Sequence, residues 1–341
     1  MPALIAIDWN HDACDVVEAE FAGGRVTVER VLRLPWPTAV DRETDPVGMG
    51  TWLRDQLTAA GVAAHEAVLV LPREDVVTRR LELPQAPDEE LPELVRFQAA
   101  ARSATPVDQL AIDFVPLPPV SAEPGRPALM ASIERSDLER LQRVCEAAEL
   151  KLLSLQVSPF AVAEIAVRCE RQHGEDPNAT TLIVFQSGTR VELSILQQLG
   201  LVFTHQTRIT PGDERSIRGT MAEINRSTVT LGQMMHTTIE VERVCLIHEG
   251  EADPGLERAL AERFGSKLEV VDPAADAAVS VREAGMARQL AGMAPAIGAL
   301  LAHWQPTVPK VDFVSPRRPP PKKDVRRERL IKLGGAAAAA V

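Results

Sequence analysis

Asp8, Asp12 and Asp15 crowd into one short stretch near the start of the chain and could together hold a cation. Their spacing lacks the alternating carboxylates and the glycine of a calcium-binding loop, which favours solvated turn positions over a metal site. His11 beside Cys14 offers a thiol with an imidazole base, but two neighbours in one turn are thin ground for that chemistry, and a buried structural cysteine is the better reading. Glu249, Glu251 and Asp253 could be the paired carboxylates of a hydrolase, but a solvated acidic loop before a helix explains them, because negative charge favours a helix N-terminus. Cys14, Cys145, Cys169 and Cys245 lie far apart without a CxxC pair, so neither zinc nor a disulfide framework is expected and a reducing compartment fits.

The elements that must position these groups follow from periodicity. Residues 3–8, 16–20 and 26–34 read as three consecutive strands, the last two joined at Gly23-Gly24. Met49, Trp52, Leu53 and Leu57 recur at helical spacing before Gly61, and 67–71 and 77–83 read as strands. A helix over 88–102 and an extended 109–117 suggest a small α+β subdomain inserted at about 36–120, after which strand 128–133 resumes the main lobe. Ser136 is placed as the cap of the next helix, followed by strand 151–157 and helix 159–172. From Thr181 the order strand, polar turn, strand, glycine-bearing turn, strand returns, which predicts two lobes built by duplication on one plan: 1–175 and 176–310. The long helix 213–235 should lay Ile217, Met221, Ile224, Leu231 and Met235 on the second sheet.

At 341 residues the chain is long enough for two cores, and 45% hydrophobic with 25% charged residues is ordinary globular composition. The stretch from Arg317 to Lys332 sets eight basic side chains against Asp324 and Glu328, although the chain as a whole carries a net charge of −11. The body is therefore strongly acidic and repels phosphate backbones, so no nucleic-acid partner is expected. Residues 311–332 read as a proline-rich basic linker, and 333–341 as the start of a transmembrane helix, since positive charge before an apolar run holds a membrane helix with that end in the cytoplasm.

The segments ALIAIDWN, VLVLPREDVVTRRLELP, DFVPLP, ALMASIERSDLERLQRVCEAAELKLLSLQVSPFAV and TLIVFQSGTRVELSIL follow one another in an order that resembles PilM-like type IV pilus assembly proteins. It also resembles the cytoplasmic part of GspL-type type II secretion proteins. The resemblance spans about residues 3–316 and implies an α/β fold of the actin-like ATPase, or ribonuclease H-like, class, with two duplicated lobes and a small α+β insertion in the first. It further implies a place at the cytoplasmic face of the bacterial inner membrane among PilN-like, PilO-like and secretion-ATPase partners, and it leaves a homodimer open. Residues 311–333 resemble the start of a PilN-type membrane protein, so Val311, Asp312, Phe313, Val314 and Pro316 would be a docking peptide supplied in cis.

In that fold ATP and magnesium sit between the lobes on two hairpin turns and a glycine-rich loop. Glycines let backbone N–H groups approach phosphate, and aspartates organise the metal. Asp8 matches the first turn, but Asn10 replaces a glycine and Asp15 a basic residue; in the second turn Gly188 and Thr189 remain while Gln186 replaces the metal-binding aspartate. The adenosine loop, 247–255, keeps only Gly250 and Gly255. The expectation is a degenerate cleft lined by Asp8, Asn10, Gln186, Gly188, Thr189 and Gly250, with no catalytic residue, no metal and no cofactor, in a non-catalytic scaffold. ATP with magnesium, in a nucleotide-binding switch or weak ATPase of the same fold, is the alternative.

Overall fold

A computed structural model describes residues 3–23, 25–118, 125–174, 176, 178–249, 253–273, 279–283, 285–290 and 292–319. The predicted opening meander is present as β1 (Leu4–Trp9), β2 (Ala13–Ala22) and β3 (Arg25–Pro35), with Asp8 opposite Asp15 across the first hairpin. The second half repeats it as β9 (Thr181–Ser187), β10 (Arg190–Gln197) and β11 (Gly200–Arg208). Both central strands, β1 and β9, are buried along their whole length, which their uninterrupted apolar runs anticipate for a strand covered on two faces.

On its other side β1 pairs in parallel with β4 (Glu66–Leu71), and β4 with β8 (Lys151–Val157). Likewise β9 pairs in parallel with β12 (Arg243–His248), and β12 with β13 (Leu268–Val270). The spatial orders β3-β2-β1-β4-β8 and β11-β10-β9-β12-β13 are therefore one plan used twice. Helices α1 (Pro46–Ala59) and α3 (Arg135–Ala147) pack together on the first sheet, and α5 (Glu214–Met234) and α6 (Pro254–Phe264) together on the second. Asp45, Asp213 and Asp253 cap α1, α5 and α6 by accepting N–H groups of their first turns. Glu134 occupies the corresponding place at α3, with Ser136 inside the first turn, which corrects the expected cap by two residues.

Two expected boundaries move. The small unit is a three-stranded sheet in the order β5 (Val77–Leu83), β7 (Arg126–Glu134), β6 (Leu110–Pro116), covered by α2 (Leu91–Arg102) around Leu81, Leu83, Leu91, Val95 and Phe114. It runs from about 77 to 134 rather than 36–120, because β4 belongs to the main sheet beside β1 and β7 is the strand to which both β5 and β6 pair. The second lobe stops near Val271. Beyond it, β14 (Val279–Val281) adds in parallel to the outer edge of β3, and α8 (Ala294–Trp304) returns to pack on α4 (Ser158–His173) and the first sheet. A short α7 (Met286–Leu290) lies between them.

The helix α4 runs between the two main sheets and touches strands of both, so one continuous core joins the lobes. Its contact with α8 depends on Gly298: a Cβ there would fall 1.9 Å from the Ala161 carbonyl oxygen. The turn before β11 uses positive φ at Gln198 and Leu199, while Gly200 lies against Pro118. Among the described residues no helix is long and apolar enough to cross a membrane, and the expected membrane segment, 333–341, lies outside them, as does linker 320–332.

Candidate functional site

The two hairpin turns face each other across the junction of the lobes; a Cβ on Gly188 would lie 3.7 Å from Asp12 Oδ2. In the first turn the Asn10 side chain does the work. Its Oδ1 accepts the backbone N–H groups of Asp12 and Ala13, each at 2.9 Å. Its Nδ2 donates to Asp8 Oδ2 at 3.1 Å and Asp15 Oδ2 at 3.0 Å. The amides that a phosphate would need are thus satisfied by an asparagine, while Trp36 Nε1 and Arg42 Nη1 donate to the Asn10 carbonyl from outside.

In the second turn Gly188 takes φ +56 and, like Thr189, is exposed. Gln186 turns away to brace its own loops: Oε1 accepts the Asp253 N–H at 3.2 Å, and its backbone carbonyl accepts the Glu249 N–H at 2.8 Å. Gly250 lies outside the described residues. The predicted residues Asp8, Asn10 and Gln186 therefore meet at one junction, where Asn10 and Gln186 are engaged with protein and Asp8 through Oδ2 alone.

Sequence reasoning missed the groups that fill the junction. Arg190 is buried; it donates to Ser187 Oγ at 3.3 Å and lies 3.8 Å from Glu74 and 3.9 Å from Glu192. Glu192 accepts from Ser158 Oγ at 2.7 Å and from the Arg73 N–H at 3.1 Å. Glu74, from the first lobe, accepts from Gln206 Nε2 at 2.8 Å and Arg208 Nη2 at 2.9 Å on β11, and stands 3.2 Å from His11. A signal did exist. Arg190, Glu192 and Ser194 alternate with Val191, Leu193 and Ile195, putting a charged pair on one face of a strand whose other face is wholly apolar.

Burial raises the Asp8 carboxyl to about 7 against the pull of Arg190, and raises Glu249 to about 8 with the Asp8 charge adding to it. Burial also raises Asp15, opposed by Arg33, and Glu192, opposed by Arg190. For Arg190, burial works against the charge, but Glu192, Asp8, Glu249 and Glu74 together hold the guanidinium more firmly charged than usual. An acid whose pKa is higher folded than unfolded binds its proton more tightly in the native state. Its stabilisation is complete in acid and is lost as pH rises through the folded value. Urea unfolding in EDTA should therefore show a stability contribution that declines between about pH 5 and pH 8. The lowered values of His205 and His303 act in the opposite direction, so the diagnostic quantity is the difference between wild type and Glu249→Gln. A pH slope identical in the two proteins would contradict this account of the junction.

A second assembly lies on the far edge of the first lobe. After α8 the chain runs back over the molecule. Glu164, wholly buried in α4, accepts the N–H of Thr307 at 2.8 Å, its Oγ1 at 2.7 Å and the Val308 N–H at 3.0 Å, with Arg168 Nε at 2.8 Å as counter-charge. Val311 and Phe313 are buried. Between them Asp312 Oδ1 accepts the Leu155 N–H at 3.1 Å, Oδ2 accepts from Ser154 Oγ at 2.8 Å, and the Phe313 N–H donates to the Leu155 carbonyl at 3.0 Å. The strap therefore joins the free edge of β8.

Its other side meets the small sheet. Asp113 on β6 is 1% exposed and accepts the N–H groups of Asp312 at 2.8 Å and Arg317 at 2.9 Å, with Arg317 Nη1 at 3.0 Å. The Arg317 guanidinium lies 5.9 Å from the Phe114 ring centre. Burial raises the Asp113 carboxyl, and Arg317 opposes it. Beside the strap a cavity of about 520 Å³ is lined by Val95, Phe114, Leu138, Phe313, Val314 and Pro316. The five expected docking residues thus lie together in a groove between the main sheet and the small subdomain.

Two lobes with one strand order, a helix-spanned junction between them and paired hairpin turns at its mouth define a protein of the actin-like ATPase fold. In the first turn Asn10 takes up the Asp12 and Ala13 amides, and the Asp8 and Asp15 carboxylates are buried beside it. The chain belongs to the family of the type IV pilus assembly protein PilM, whose family model matches residues 6–212. In fold it resembles the solved PilM-PilN type IV pilus biogenesis complex, at 19% identity and a TM-score of 0.70 over 87% of this chain and 97% of that one. A weaker likeness, at 9% identity and TM-score 0.49 over 92% of this chain and 98% of the other, is to the cytoplasmic domain of EpsL, an inner-membrane component of the type II secretion system of Vibrio cholerae. A Bacteroides thetaiotaomicron protein of actin-like ATPase fold and unknown function matches at 8% identity and TM-score 0.47 over 80% and 91% of the two chains. No curated protein matches the chain in sequence.

Proposed function

We propose that the chain is a non-catalytic scaffold of type IV pilus or type II secretion assembly, at the cytoplasmic face of the inner membrane, with its own strap in the place of a PilN-like docking peptide. The observation that carries the non-catalytic reading is the closure of the first turn by Asn10, which removes the backbone donors that would hold a phosphate. Arg190 supplies the junction with a permanent cation where a nucleotide site would bring its own. Membership in the PilM family supports the assembly role, and the buried Val311 and Phe313, with the Phe313 N–H bonded to the Leu155 carbonyl and the Asp312 carboxylate to the Leu155 N–H at a sheet edge, fit the use of this groove for peptide capture.

The test is thermal unfolding with millimolar ATP at fixed magnesium, against magnesium alone. A ligand present at a hundredfold its dissociation constant stabilises by about 2.7 kcal/mol, which a melting curve resolves easily. The expected result is no shift. A rise in melting temperature specific to ATP would make the chain a nucleotide-binding switch instead.

A further inference from the structure

We propose that Asp8, Asp15 and Glu249 form a site for a hard divalent cation that needs no nucleotide and clasps the first lobe to the second. Asp8 lies near the end of β1 and Asp15 on β2, while Glu249 follows β12 in the other lobe. One oxygen from each lies within 4.8 Å of one from each of the others. A cation at the centre of such a triangle sits within about 2.8 Å of all three, close to calcium–oxygen distances and a small contraction from those of manganese or magnesium.

The hydrogen bonding provides an independent reason. Asp8 and Asp15 each give Oδ2 to the Asn10 amide, and Glu249 gives Oε2 to the Ser187 hydroxyl. Each then keeps a second oxygen, Asp8 Oδ1, Asp15 Oδ1 and Glu249 Oε1, that is buried and has no hydrogen-bond partner. Asp8 and Asp15 are themselves at most 1% exposed. One oxygen oriented by a polar neighbour and the other left bare is the arrangement of a ligand shell with outer support. The nearby guanidinium groups make their ion pairs elsewhere: Arg33 stands 3.5 Å from Asp15 Oδ2, not Oδ1, and Arg190, whose charge is felt by Asp8 and Glu249, pairs with Glu74 and Glu192. Three carboxylates with no nitrogen or sulfur donor select magnesium, manganese or calcium over zinc or copper.

The experiment uses the full chain without nucleotide. Protein stripped with EDTA is titrated with calcium, manganese and magnesium chloride, and read by calorimetry and by melting temperature. The expected result is one cation per chain and a rise of several degrees with at least one of the three. Asp15→Asn and Glu249→Gln should each weaken binding at least tenfold, while Asp12→Asn, an exposed neighbour, should bind as wild type does. If a variant fails to fold, the wild-type stoichiometry still decides. No heat and no shift for wild type overturns the proposal, as does wild-type affinity in folded Asp15→Asn and Glu249→Gln. Because no ATP is present, failure here is separate from failure of the non-catalytic reading.

Discussion

Phe313→Ala is expected to undock the strap and leave the two lobes folded. The ring is 2% exposed and belongs to the main core, and truncating a buried phenylalanine costs about 3–5 kcal/mol when the cavity cannot collapse. The strap is held otherwise by the Asp312 and Asp113 hydrogen bonds and by the Thr307–Glu164 cluster. Each such bond contributes about 0.5–1.5 kcal/mol net, or about 1.5–3 where a charge takes part. Loss of the ring therefore removes a large share of what holds the segment from Val311 to Arg317, while Thr307 and Val308 stay anchored on α4.

Limited trypsin digestion should cut the variant at Lys310 or Arg317 much faster than wild type, with circular dichroism unchanged. A synthetic peptide spanning 309–319 should bind the variant and not the wild type, whose groove is filled. If the variant resists trypsin as wild type does, the ring is ordinary core and the peptide-groove reading loses its support. Asp113→Asn, which removes the charge facing Arg317 and keeps the shape, should give the same pattern more weakly.

Gly298→Ala should be the most damaging glycine-to-alanine change among the described residues. The added Cβ would lie 1.9 Å from the Ala161 carbonyl oxygen and 2.5 Å from its carbon, and both are backbone atoms that no rotamer change can move. α4 and α8 must separate, and α8 also packs on β1, β2 and β4. Overpacking commonly costs about 1–3 kcal/mol, and a backbone collision belongs at or above the top of that range. The control is Gly219→Ala in α5, where a Cβ meets nothing within 4 Å and alanine should gain about 0.5–1 kcal/mol of helix propensity. Urea midpoints should therefore move in opposite directions. Equal midpoints would mean that the two helices are not packed as described.

The repeated meander was legible because β1 and β9 are apolar runs bounded by turns, and a strand covered on both faces needs nothing else to specify it. The 36–120 boundary was not. Strands Ala128–Ile133 and Ala67–Leu71 look alike as short apolar runs, and which sheet each joins is settled by pairing partners far away in the chain. The same holds for β14 and α8, whose return to the first lobe depends on an open edge at β3 and a helix surface on α4.

At the junction, the residue types of Asp8, Asn10 and Gln186 are the ground for proposing a departure from phosphate chemistry, because replacing glycine and carboxylate loses close approach and charge. What surrounds them was a tertiary matter: Asn10 satisfies two amides, and Arg190, Glu192, Glu74 and Glu249 are drawn from both lobes. Sequence by itself determined the duplicated strand plan, since that rests on local periodicity, and it supplied the grounds on which degenerate turns and a docking strap are proposed, since those rest on chemistry confined to a few consecutive residues. Only the tertiary structure decided which sheet owned each strand, where the strap lay and which buried carboxylates met, because those depend on contacts whose free energy appears only when segments remote in the chain exclude water together.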